Sequence, residues 1–190
     1  KIITYSFSGI NGMSPKYSED YSDWMKVGTN VYPFNADQMQ AARLALAEWE
    51  KVANVRFLEI METNDVVGNI RFSFTDGTLD TPAWGWATPP GSNPKAGDIW
   101  ISNDYIDDKT WQQGTSYNFG SLLHEIGHAL GLAHPFDGQD RLPVSQDFTN
   151  KTVMSYTQPD NANAWVSGQY QYYVSSTPMV YDIAAIQHLY

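Results

Sequence analysis

The segment His124-Glu125-Ile126-Gly127-His128-Ala129-Leu130-Gly131-Leu132-Ala133-His134 constrains this chain more than any other. Residues four apart on a helix share a face, with about 6 Å between Cβ atoms, so His124 and His128 set two imidazoles side by side. Gly131 supplies the left-handed backbone that ends a helix, and the turn lets His134 approach the same point from below. Three of the four histidines thus fall in one short window at metal-ligand spacing. Three neutral imidazoles leave a zinc ion an open position for water, and Glu125, one step round the helix, reaches that water without competing for the metal. Structural zinc sites usually saturate with four protein ligands, often cysteine, so the pattern is that of a catalytic site.

Composition agrees. The 190 residues contain no cysteine, which removes thiolate ligation and any disulfide framework and leaves a metal to histidine and carboxylates. Twenty-one acidic against eleven basic residues give a net charge of −10, so nucleic acid and anionic membrane surfaces are not expected partners. No apolar run has the length of a transmembrane helix. The first residues, from Lys1 on, lack a signal-peptide profile, and the chain reads as processed or trimmed.

Period-2 alternation predicts strands over 2–8, 55–61, 70–74 and 98–102. The stretch 9–23, rich in Gly, Ser, Pro and Asn, reads as a loop. A helix is expected over 36–53, with Met39, Ala42, Leu46, Trp49 and Ala53 on one face, Asn35 as N-cap and Gln38 completing a capping-box variant. Trp84-Gly85-Trp86-Ala87 reads as a short strand that Pro89-Pro90-Gly91 ends sharply, at a sheet edge where an extended peptide can be received. Further helices are expected over 117–130 and 178–190, the last opened by Thr177 as N-cap and Pro178 at the first helical position. The order implies an α+β fold, a mixed five-stranded sheet with packed helices, in one domain of residues 1–190.

Here the chain resembles the metzincin clan of zinc endopeptidases, whose H-E-x-x-H-x-x-G-x-x-H signature is followed by a methionine turn. All five fixed positions match. Pro135 after the third histidine, Ser155-Tyr156 after Met154, and the closing segment from Asp182 to Tyr190 are similar to the serralysins, secreted bacterial proteases. The resemblance implies a twisted sheet and a cleft between an upper subdomain of about 1–131 and a loop-rich lower one of about 132–190. It implies one zinc held by His124, His128 and His134, Glu125 as general base, and Tyr156 as a fifth ligand that swings away to donate to the oxyanion. By the same resemblance Met154 floors the site, Asp182 bonds the methionine-turn backbone, Gly131 shapes the ligand loop, and residues Trp84, Gly85, Trp86 and Ala87 pair antiparallel with substrate. Polypeptide substrates, a proteinaceous inhibitor, a monomeric state and an extracellular, bacterial setting follow from it too.

Plain alternatives stand beside these roles. Met154 suits ordinary core filling, Tyr156 ordinary packing, and Asp182 a helix dipole. The tryptophans of 84–87 suit core packing, and His188 reads as a structural or surface histidine. Two features depart from the serralysins: the glycine-rich calcium-binding repeats and the helix before the first strand are missing. Asp104, Asp107 and Asp108 cluster without a glycine-spaced loop, so calcium is not expected within this chain. The competing functions are a catalytically silent binding module, against which Glu125 speaks, and a zinc hydrolase of non-peptide amides. Cleavage preference depends on loops such as 158–174 that the sequence does not shape.

Overall fold

The computed structural model of the chain describes residues 1–9, 31–76, 83–114, 116–139, 141–159 and 174–190, and the backbone of 164–166 and 169–171. The loop expected over 9–23 lies outside them beyond Gly9, as does much of 158–174.

Five strands form one path: β1 (Ile2–Phe7), β3 (Arg56–Glu59), β4 (Ile70–Thr75), β5 (Gly85–Ala87) and β6 (Asp98–Ser102), in the order β3-β1-β4-β6-β5. β1 pairs parallel with β3 and β4, and β4 parallel with β6, while β5 joins β6 antiparallel at the edge. A two-residue strand that alternation could not reveal, β2 (Val31–Tyr32), pairs antiparallel with Phe74 and Thr75, beyond the residues of β4 that β1 occupies. The sheet is therefore mixed, α+β and mostly parallel.

Helix α1 (Ala36–Glu50) opens with a full capping box: Asn35 Oδ1 accepts from Gln38 N, and Gln38 Oε1 from Asn35 N. It ends three residues earlier than periodicity implies. Val52 N–H turns to the carbonyl of Trp49, an i−3 bond that tightens the last turn. Ala42, Ala45, Leu46 and Trp49 are its buried face, whereas Met39 and Ala53 are only half-buried. Helix α2 (Tyr117–Ala129) crosses α1 where the Trp49 indole donates to the carbonyl of Leu123. Helix α3 (Val180–Leu189) starts later than expected, with Met179 rather than Thr177 as N-cap. The reason is Asp182, whose carboxylate accepts from Met179 N at 2.7 Å and fixes the start there. A two-stranded ribbon, β7 (Ala164–Val166) and β8 (Gln169–Gln171), precedes it.

One apolar cluster runs from Ile3, Tyr5 and Phe7 through Phe72, Phe74, Ile99 and Ile101 to the inner faces of α1 and α2, and on to Met154 and Ile186. The alternation in β4 hides a second burial. Arg71, Ser73 and Thr75, which should face water, are as enclosed as Ile70, Phe72 and Phe74. Arg71 can be buried because Glu62 takes its Nε and Nη2 at 2.8 and 3.1 Å, while Ser6 and Ser8 hydroxyls donate to the same carboxylate. Burial alone would raise the Glu62 pKa, but these donors win and lower it. A carboxylate depressed in the folded state stabilises above its unfolded pKa, and loses that contribution as pH falls through the folded one. Glu62→Ala should therefore cost about 3–5 kcal/mol in urea unfolding at neutral pH, because it takes the bidentate partner from a buried guanidinium. The deficit relative to the parent should shrink in acid.

Candidate metal centre

Ser116 caps α2 by accepting from Phe119 N. Phe119, Leu122, Leu123 and Ile126 anchor the helix in the core, and this holds His124 and Glu125, both buried, on its cleft-facing flank. At the other end Gly131 adopts φ +106, with Gly131 N bonded to His128 O and Leu132 N to Gly127 O, both 2.9 Å. This is the Schellman pair, and it reverses the chain tightly enough to return His134 to His128 within six residues.

The three imidazoles converge. His128 Nε2 lies 3.0 Å from His124 Nε2 and 3.1 Å from His134 Nε2. Each ring turns its other nitrogen outward: His124 Nδ1 to Val153 O, His128 Nδ1 to Leu132 O, and His134 Nδ1 to Asp137 Oδ2, all 2.8 Å. Carbonyl and carboxylate oxygens accept only, so each Nδ1 carries the proton and each Nε2 presents a lone pair. Burial pushes the His124 pKa down to about 3 and lowers that of His128. Three lone pairs aimed at one point repel one another unless a cation lies between them. Zinc–nitrogen bonds of about 2.1 Å at near-tetrahedral angles would separate the nitrogens by about 3.4 Å, so the set fits zinc with a slight expansion. Among the described residues no other group of three His, Asp or Glu side chains is arranged for a metal. His188 sits exposed on α3, apart from them.

Asp137 was not legible in advance, since an aspartate three residues after a histidine is common; the fold makes it the orienting partner of His134. Phe136 stacks on the same imidazole, its ring centroid 4.9 Å away at 7°.

The turn after residue 151 lies beneath. Asp182 accepts from Val153 N at 2.8 Å and from the Thr152 hydroxyl at 2.6 Å, and Thr152 Oγ1 accepts from Met154 N at 3.1 Å, so the peptides on both sides of Val153, whose carbonyl orients His124, are held from α3. Met154, 2% exposed, packs under α2 at Gly127, where an added Cβ would come within 2.6 Å of its sulfur. Gly127 thus matters for its missing side chain, a requirement the signature's variable position conceals. Tyr156 Oη stands 2.7 Å from His134 Nε2, and partial desolvation of this hydroxyl against the imidazoles, on a ring otherwise largely exposed, acts with the nearby Glu125 to push its pKa up to about 12.

Glu125 is enclosed, and its Oε2 has no hydrogen-bond partner. Burial pushes its pKa up to about 8. It borders two cavities, of about 370 Å³ and about 590 Å³, which share Gly85, Glu125 and Tyr156 and so form one cleft. Gly85, Trp86 and Ala87 line the smaller cavity, and Ala83, Trp84 and Gly85 the larger. Trp84 is largely committed to packing: its indole donates to Asn118 Oδ1 at 2.7 Å and ties the start of β5 to α2. Asp108 is likewise engaged, accepting from Asn118 Nδ2.

A family model described as matrixin matches residues 26–164. Serralysin B of Dickeya chrysanthemi is 33% identical over 201 residues, covering 99% of this chain and 38% of the relative. Serralysin A of the same organism is 36% identical over 167 residues, 85% of this chain and 34% of the relative. The serralysin of Proteus mirabilis is 30% identical over 210 residues, 99% and 39% respectively. The chain spans less than two fifths of the length of these curated relatives.

The contact between Gly127 and Met154 can be tested by a double-mutant cycle. Gly127→Ala gains about 1 kcal/mol of helix propensity but forces Met154 and Trp49 to shift, at about 1–3 kcal/mol. The substitution should be destabilising alone and at least about 0.5 kcal/mol less so in a Met154→Ala background, read by urea unfolding of the apoprotein.

Proposed function

The chain belongs to the matrixin family of peptidases, and from that premise we propose that it is a zinc-dependent endopeptidase acting on internal peptide bonds of proteins, in the manner of a serralysin catalytic domain. The observation that carries the proposal is the convergence of three unprotonated Nε2 atoms beside a buried carboxylate, in a cleft bordered by an edge strand.

His124, His128 and His134 would hold the ion, with Tyr156 placed to add a fifth contact. Bound there, zinc would polarise the scissile carbonyl and acidify a water molecule. Glu125 Oε2, without a protein partner, faces the role of accepting the proton of the attacking water and passing it to the leaving nitrogen. Its enclosure raises the proton affinity of the carboxylate, which suits a base, and a zinc ion beside it would oppose that rise. The phenol of Tyr156, protonated at neutral pH, is suited to donate a hydrogen bond to the developing oxyanion. Substrate is taken as an extended segment antiparallel to β5. Since β5 runs from the larger cavity toward the smaller, side chains before the scissile bond would enter the smaller one and those after it the larger. Met154 and Asp182 act on the reaction only through the rings they seat.

We place the chain outside a bacterial cell, as the serralysin resemblance implies; no helix among the described residues is long and apolar enough to cross a membrane. Polypeptides are its substrates, it works as a monomer, and a proteinaceous inhibitor would occupy the same cleft.

Glu125→Gln should lower casein hydrolysis by about a hundred- to ten-thousandfold while retaining about one zinc per chain, because the carboxylate handles protons rather than metal. His134→Ala should instead lose zinc by elemental analysis. Activity within tenfold of the parent in Glu125→Gln would remove the assigned base. We also expect activity to survive EGTA in slight molar excess at constant free zinc, and to be lost to 1,10-phenanthroline and regained with zinc. A calcium-selective loss would place a calcium site within the chain.

A further inference from the structure

Tyr156 is set between two residues that the fold holds firmly. Ser155, 4% exposed, donates its hydroxyl to Asp147 Oδ1 at 2.5 Å, and the same hydroxyl accepts from Thr157 N at 3.0 Å. The carbonyl of Thr157 accepts from Thr149 N at 2.8 Å, so the residues on both sides of Tyr156 are bonded to one stretch, 147–149. The Tyr156 side chain is the exception: 66% exposed, with its ring 4.8 Å from that of His134 and 5.4 Å from those of His124 and Phe136.

We propose that Asp147 and Ser155 are positioning residues that clamp the backbone on both sides of Tyr156, so that its phenol moves between His134 and the reacting substrate oxygen by side-chain rotation alone. The inference rests on the peptidase reading, which gives Tyr156 that second position. The charged acceptor makes the Asp147 bond strong, and the shared hydroxyl passes its constraint across Tyr156 to Thr157. Rotation of an exposed side chain takes pico- to nanoseconds, whereas a moving loop is slower and leaves the phenol imprecisely placed. Ser155 also borders the larger cavity, so a kinetic effect that passes through Tyr156 is recognised by its disappearance when the phenol is removed.

The test combines hydrogen exchange with a kinetic cycle on the zinc-loaded chain. In Ser155→Ala the amide of Thr157 loses its acceptor, and deuterium uptake at that amide should rise at least tenfold with zinc content unchanged. Asp147→Ala should lower kcat about tenfold with KM within twofold, and Asp147→Asn, which keeps an acceptor oxygen, should recover most of that loss. In a Tyr156→Phe background, Asp147→Ala should change kcat by less than twofold. Unchanged exchange in Ser155→Ala would show that no clamp exists. A tenfold loss that persists in the Tyr156→Phe background would make Asp147 a general scaffold residue and overturn the proposal. If Tyr156→Phe alone leaves kcat intact while exchange still rises, the clamp holds the backbone but the catalytic assignment of Tyr156 fails, and the coupling proposed here fails with it. The peptidase reading would still stand on Glu125.

Discussion

Everything at the centre of this molecule depends on three imidazole lone pairs being aimed at one point. A neutral imidazole carries its one N–H proton on either nitrogen until an acceptor hydrogen-bonds to one of them, and the fold resolves the ambiguity three times by different means. Val153 offers a carbonyl from the methionine turn, Leu132 one from the helix-ending turn, and Asp137 a carboxylate from the segment that follows. Two of these partners are backbone atoms, so the ligand geometry is only as firm as the peptides that bear them. The Leu132 carbonyl is fixed by the Schellman pair at Gly131. The Val153 peptide is fixed by Asp182, which also sets the start of α3.

That requirement explains why elements remote in sequence meet here. Asp182 on α3 supports a turn nearly thirty residues earlier in sequence, and through it His124. Trp84 reaches α2 through Asn118, so the edge strand and the helix that carries His124 and His128 keep a fixed separation across the cleft. The same economy holds on the far side of the sheet, where Glu62 and two serines let Arg71 pass through a central strand.

Glu125 and Tyr156 differ in kind from the histidines. Glu125 Oε2 is left without a hydrogen-bond partner in the protein while its carboxyl borders both cavities, and the Tyr156 phenol has its pKa raised further above neutrality. Both border the two halves of the cleft, where a peptide running along β5 would present its bond.

Local spacing was enough to find α1 with its capping box, α2, the edge strand and β6, because a 3.6-residue or two-residue period is written into consecutive positions. The same holds for the grouping of the three histidines, since i, i+4 spacing and a glycine before the third are local instructions. It did not reach β2, the second buried face of β4, or the true start of α3. Each of these depends on a partner that no helical or strand period specifies: Phe74 for Val31–Tyr32, Glu62 for Arg71, and the seat Asp182 finds beside Val153. Asp137, Asp147 and Gly127 were hidden for the same reason, being ordinary residues until packing gives them a neighbour. The sequence by itself determined which atoms could bind a metal and which carboxylate stood beside them. Only the tertiary structure decided which nitrogen of each ring faces inward, because that choice belongs to hydrogen-bond acceptors that folding alone brings within 2.8 Å.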